Sequence, residues 1–369
     1  MRVPFLDLTA QYNEVKPEID AAVAEIFATS AYVLGKWNKK LEADVAAMHG
    51  VKHGVAVNSG TDALRIMMQA AGIGPGDEVV STAFTFVASL EAIVQLGAVP
   101  VLVDIEGDTF NIDPTKIEAA ITPKTKAILP IHLFGQLANV TDIRKIADKH
   151  GIMVLEDAAQ AVCNQHNGVF TGNWGVAAGL SFYVTKNLGA AGDGGMILTN
   201  DDGVAERSRS LRVHGMGRER YYYDDIGYTS RMAELQAAVL ACKLTRLNDW
   251  NARRAQIAEI YLRELSGVQL GLPKTSPGNN NTWHQFTVRH PDRDGLMAFL
   301  KENEVDSGIY YPVPLHLHEP YKEFASHVAR GGLPVTESVS RECLSLPIHQ
   351  HLSDEQVQFA ASKIAEFCH

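Results

Sequence analysis

The sequence predicts an α/β fold, with a mostly parallel sheet covered by helices in a larger N-terminal domain and a smaller α+β domain after it. Three observations carry this. Short apolar runs alternate with longer amphipathic ones from about residue 14 to 240, the pattern of strands joined by right-handed helical crossovers. From 231 to about 265 the pattern is continuously helical, and beyond the loop SPGNNN at 276–281 it becomes mixed. With 369 residues, 46% hydrophobic and 21% charged, the chain is long enough for two cores.

In order, the runs at 54–57, 78–81, 101–104, 127–130, 152–155 and 180–182 read as strands, being short, apolar and separated by helical patterns. MAELQAAVLACKL presents a broad apolar helical face and bridges the two domains, so the boundary is set near 245: residues 1–245, with an N-terminal arm, and residues 246–369. HQFTVRH, RDGLMAFLKENEV, SGIYYPVPLH and the closing helix DEQVQFAASKIAEF supply the smaller domain. Active groups of such folds gather at the carboxyl ends of the strands.

Composition excludes several function classes. A formal net charge of −10 argues against nucleic-acid binding, which uses a basic stripe along the phosphates. No apolar run approaches a membrane span, and MRVPFLDLTAQY lacks the plan of a signal peptide. Four scattered cysteines fit a reducing cytoplasm, where the protein is expected. Fourteen histidines include no HExxH, so no metal is expected. His316 and His318 come nearest to a metal pair, a spacing that more often serves structure, and His316 is kept as a substrate-side candidate. GAAGDGG at 189–195 lacks the GxGxxG spacing of a dinucleotide site, which argues against a dehydrogenase.

Four segments carry chemistry. IMVLEDAAQA, 152–161, is a buried strand running into Glu156, Asp157 and Gln160, which puts a carboxylate at a crevice. LSFYVTKNLGAAGDGG, 180–195, sets Ser181, Tyr183 and Lys186 at another strand end before a glycine-rich turn. A lysine desolvated there has a lowered pKa, which makes its amine both nucleophile and proton shuttle. Ser181 is suited to a phosphate oxygen, and Tyr183 to the lysine amine or the substrate. NSGTDAL, 58–64, opens a helix at Ser59, Gly60 and Thr61, whose backbone N–H groups suit a phosphate. AFTFVA, 83–88, offers Phe86 for stacking on a flat ring.

Taken in order, NSGTDAL, AFTFVAS, LPIHLFGQ, EDAAQA, SFYVTKNLGAAGDGG, GYTSRMAELQAAVL, YYPVPLH and LSLP resemble the DegT/DnrJ/StrS aminotransferases, from Pro4 to near the C-terminus. The resemblance implies fold type I, pyridoxal 5'-phosphate held by Lys186, and a homodimer with shared active sites. It implies Asp157 at the pyridine nitrogen, Gln160 at the ring hydroxyl, Gly60, Thr61 and Ser181 at the phosphate, and Phe86 on the ring. Tyr183, Tyr310 and Tyr311 fall where members approach the sugar, and Arg231 is an anion contact. Thr229 stands where members commonly carry an asparagine reaching the neighbouring subunit's phosphate. Val184 and the loop 161–175 also depart from the common pattern.

The implied reaction moves an amino group from glutamate, released as 2-oxoglutarate, to a keto sugar. That sugar is expected to be a nucleotide-linked 3-keto (or 4-keto) deoxysugar, for amino-sugar biosynthesis. Alternatives are a regulatory protein without catalysis, a sugar dehydratase on the same scaffold, and a cyclitol aminotransferase.

Overall fold

The computed structural model describes residues 1–329 and 331–368. At its centre lie seven strands: β1 (His53–Val57), β2 (Glu78–Thr82), β3 (Val99–Val103), β4 (Thr125–Ile128), β5 (Met153–Asp157), β6 (Ala177–Ser181) and β7 (Gly195–Thr199). Their order across the sheet is β1-β7-β6-β5-β4-β2-β3. β7 runs antiparallel to both its neighbours, and the other four neighbouring pairs are parallel. Burial on both faces explains why these strands read as apolar runs rather than as alternation.

Two strand expectations need correction. The strands expected from the sequence include none at Gly195–Thr199, where GMILT directly follows a glycine-rich turn. β6 begins at Ala177, three residues before the expected start. Its Ala-Ala-Gly opening carries no β-branched signal, yet small residues are what its place demands. A Cβ on Gly179 would lie 2.9 Å from Leu64 Cδ2, on the helix Gly60–Ala70 packed across the strand.

The helical run expected over 231–265 is two helices, Glu234–Leu244 and Leu247–Glu264, meeting at Thr245 and Arg246. The first packs into the apolar cluster beneath β6 and β7 through Ala237 and Leu240. The second contributes Ile257 and Tyr261 to a separate cluster. That cluster also holds the antiparallel pair β8 (Phe286–Arg289) and β9 (Cys343–Leu346), the helices Arg293–Glu302 and Asp354–Cys368, and Val3 of the N-terminal arm. A short hairpin at 165–170 pairs with Asn279–Asn280, so the loop after EDAAQA is tied to the segment 276–281.

Candidate active site

Successive strand residues point to opposite faces, and at the end of β5 this separates two neighbouring carboxylates. Glu156 turns away from the crevice and is fully buried. It accepts from the N–H groups of Gly172, Trp174 and Gly175, each at 3.1 Å, and from His132 Nε2 at 3.0 Å. His132 Nδ1 accepts from Ala138 N, which leaves the ring proton on Nε2. Glu156 is therefore a structural anchor for the loop after β5.

Asp157 faces the other way, into a cavity of about 560 Å³ at the carboxyl ends of the strands. Ser89 Oγ donates to its Oδ2 at 2.6 Å and Ala159 N to its Oδ1 at 3.1 Å. Since the Ser89 proton is spent on Asp157, Thr85 Oγ1 must donate to Ser89 Oγ, at 2.9 Å. Burial raises the Asp157 pKa, and the Ser89 hydrogen bond is the largest opposing influence.

Lys186 lies across the same cavity in the turn after β6, where its backbone N–H closes onto Tyr183 O at 2.8 Å. Burial lowers its amine from 10.5 to about 8, and the charge of Asp157 pulls the other way. A buried amine of this kind is partly unprotonated near neutral pH, as a nucleophile requires.

On the remaining wall the helix Gly60–Ala70 points its N-terminus at the cavity, with Ser59 as cap accepting from Asp62 N at 3.1 Å. Helix geometry leaves the N–H groups of Gly60 and Thr61 without intrahelical partners. Gly60 is required by close approach, because a Cβ there would sit 2.6 Å from Ser181 Cβ. Ser181 Oγ accepts from Tyr183 N at 3.3 Å, which keeps its own proton for another acceptor.

Gln160 is fixed by two bonds. Its Oε1 accepts from Phe134 N at 2.7 Å and its Nε2 donates to Tyr311 Oη at 3.0 Å, leaving a second N–H free. Tyr310 Oη accepts from Gln285 Nε2 at 3.0 Å. Phe86 lines the cavity with its ring 59% exposed, and Tyr183 lines it without a hydrogen bond to Lys186.

The structure thus brings Ser59, Gly60, Thr61, Phe86, Asp157, Gln160, Ser181, Tyr183, Lys186, Tyr310 and Tyr311 to one cavity. Thr229, Arg231 and His316 do not line it. Thr229 is exposed, its Oγ1 3.1 Å from His214 Nε2 and its carbonyl accepting from Asn58 Nδ2 at 3.4 Å. Arg231, two residues on, is half-buried. His316 is buried 3.5 Å from Glu337 Oε1. Sequence reasoning missed Thr85, Ser89, Thr185, Asp193 and His284, which also line the cavity. Ser89 sits in AFTFVAS, so that motif carried a signal; His284 carried none. Among the described residues no group of three or more His, Cys, Asp or Glu is placed to hold a metal ion, and no helix is long and apolar enough to cross a membrane.

A mostly parallel sheet with a half-buried lysine and a buried carboxylate lining one cavity at a helix N-terminus is the design of a fold type I pyridoxal-phosphate-dependent transferase. The model of the DegT/DnrJ/EryC1/StrS aminotransferase family matches residues 13–365, and the chain belongs to that family as a pyridoxal-phosphate-dependent transaminase. It is 49% identical over 370 residues to the pleiotropic regulatory protein of Geobacillus stearothermophilus, covering 100% of this chain and 99% of the relative. It is 43% identical to the dTDP-3-amino-3,4,6-trideoxy-alpha-D-glucose transaminase of Streptomyces venezuelae, over 99% of this chain and 96% of the relative. Among solved structures, S. venezuelae DesV in complex with a ketimine intermediate superposes with a TM-score of 0.96 at 43% identity, over 100% of this chain and 98% of that one.

The residues present fit the cofactor on their own geometry. Two unpaired helix N–H groups and the Ser181 hydroxyl suit its phosphate, Asp157 its ring nitrogen, and the spare Gln160 N–H its ring hydroxyl.

Proposed function

We propose that the protein transfers an amino group from glutamate to a nucleotide-linked keto sugar, at C3. The observation that carries this reading is the pairing of half-buried Lys186 with buried Asp157, in a cavity that also holds Tyr183, Tyr310 and Tyr311. The position C3 is supported by the 43%-identical relative, whose name gives a 3-amino sugar on dTDP.

When bound, pyridoxal phosphate supplies the electron sink for the carbanion formed at the substrate carbon. Asp157 would hold the ring nitrogen in its charged form, and its own ionised state is favoured by Ser89 and the Ala159 N–H. Ser59, Gly60, Thr61 and Ser181 would hold the phosphate, and Phe86 would pack on the ring. Lys186 Nζ would tether the cofactor and, as a free amine, would take the proton from the substrate carbon and return it. Glutamate leaves as 2-oxoglutarate before the keto sugar enters, so the kinetics are ping-pong.

The same proposal makes the protein a cytosolic homodimer divided near residue 245. Exposed Tyr221, Tyr222, Tyr223 and Ile226 support a partner surface. Thr229 and Arg231, outside one chain's cavity, are assigned to contacts across that interface. His316 is retained only as a residue behind the sugar side. The separate apolar cluster around Tyr261 and Phe286 supports the division. A regulatory role without catalysis, suggested by the name of the 49%-identical relative, is not favoured, because Lys186, Asp157 and Gln160 share one cavity.

The test is a panel of dTDP- and UDP-linked 3- and 4-keto sugars with a cyclitol ketone, incubated with glutamate and read by mass spectrometry. A 3-amino nucleotide sugar is expected. Amination of the 4-keto sugars alone overturns the position, and amination of the cyclitol alone overturns the substrate class.

A further inference from the structure

The residue that follows the cofactor lysine fixes the protonation of a histidine 97 positions away. Asn187 Nδ2 donates to Thr282 O and to Asn251 Oδ1, both at 2.9 Å. A backbone carbonyl only accepts, so the amide has one orientation and its Oδ1 faces His284 Nδ1 at 3.1 Å. That oxygen also only accepts. Nδ1 of His284 therefore carries the ring proton, and a neutral ring keeps a lone pair on Nε2.

The ring stays neutral for a physical reason. It is buried, and the positive charges of Lys186 and Arg254 both act on it, so its pKa falls well below the ordinary histidine value. Arg254 is held behind it by donation from Nη1 to Trp283 O at 3.1 Å and Ile348 O at 2.5 Å. His284 lines the cavity with Thr185, Lys186 and Tyr310, and its Nε2 makes no hydrogen bond among the described residues.

Lys186 Nζ also makes no hydrogen bond among the described residues. The Tyr183 hydroxyl does not bond the amine either, and the Tyr183 N–H is turned to Ser181 Oγ. Resting on the reading of Lys186 as proton carrier, we propose that His284 is a positioning residue for it. Its Nε2 accepts a hydrogen bond from the ammonium that Lys186 becomes on taking the proton from the substrate carbon. The proton stays on Nζ throughout, and His284 remains neutral. The device keeps the charged amine in the cavity until it returns the proton, in place of releasing it toward bulk water.

The direct test is nitrogen NMR of the full-length, cofactor-free protein labelled at histidine, with His284→Gln used for assignment. The expected spectrum has an unprotonated Nε2 for His284 that moves toward the hydrogen-bonded position as pH falls through about 8, where Lys186 gains its proton, and does not move in Lys186→Ala. An Nε2–H tautomer, an imidazolium, or a resonance indifferent to Lys186 overturns the inference.

In holoenzyme, single turnovers with glutamate deuterated at Cα should slow about ten- to a hundredfold in His284→Leu, the scale of one hydrogen bond to a charged group. The isotope effect should rise with glutamate affinity unchanged, and His284→Gln, which keeps an acceptor, should recover most of the rate. An unchanged isotope effect in His284→Leu overturns the inference as well. A wild-type protein inert to glutamate would instead overturn the donor assignment, and the NMR titration then decides the role of His284 by itself.

Discussion

Ser89 donates its hydroxyl proton to Asp157 Oδ2 at 2.6 Å, and both side chains are buried. The bond joins the helix Ala88–Gln95 to the end of β5, and Thr85 completes it by donating to Ser89 at 2.9 Å. A carboxylate in this position must stay ionised to pair with a protonated ring nitrogen, although burial opposes that. Ser89 is the group that most offsets the burial.

Replacing Ser89 with Ala should therefore raise the Asp157 pKa further and weaken the pairing. Leaving a buried acceptor unsatisfied costs about 1–3 kcal/mol. The expected result is a cofactor dissociation constant raised roughly tenfold or more, measured by absorbance titration of cofactor-free protein, while Ser89→Thr retains most of the affinity.

Asp157→Asn removes the charge and keeps the shape. The account expects the half-reaction with glutamate to slow by ~10²–10³-fold, the scale of losing one preorganised electrostatic group. Stopped-flow absorbance measures it, and a loss under threefold would remove Asp157 from its assigned place.

Much of this site was legible in the sequence because each motif sits where a strand ends and a turn or helix begins. Lys186, Asp157 and Gly60 belong to such junctions. Ser89 is signalled only by the motif around it and His284 not at all, since what gives them a role is contact with Asp157, 68 positions away, and with Asn187, 97 positions away. β7 was hidden for a local reason, its short apolar run abutting a glycine-rich turn with no helical segment between them. The start of β6 was hidden for a tertiary one, since Ala177, Ala178 and Gly179 are small to admit the helix bearing Gly60.

Gly60→Ala tests that close approach. The added Cβ would lie 2.6 Å from Ser181 Cβ, so the helix start must shift away from the phosphate position. A loss of about 1–3 kcal/mol in stability is expected for overpacking, with weaker binding of inorganic phosphate and of cofactor. Calorimetry on the cofactor-free protein separates the two effects.

The pH dependence of cofactor-free protein follows from Lys186. In the unfolded chain the amine titrates near 10.5, and in the folded protein at about 8. Between these values the unfolded chain binds more protons, so this group makes stability rise with pH from about 8 to 10.5, and below 8 its cost is present in full. Lys186→Met should thus be more stable than wild type at pH 7.5, by urea denaturation, with the gap shrinking by pH 10. A gap that widens with pH would reverse the assigned shift.

The central claim is that Lys186 both tethers the cofactor and carries the proton. Its most direct measurement is the absorbance of Lys186→Ala holoprotein mixed with L-glutamate, followed over a single turnover beside wild type. The account predicts that wild type loses its yellow band within one turnover while Lys186→Ala, though it binds cofactor and glutamate, holds its spectrum for hours. Comparable loss of the band in both proteins would contradict it.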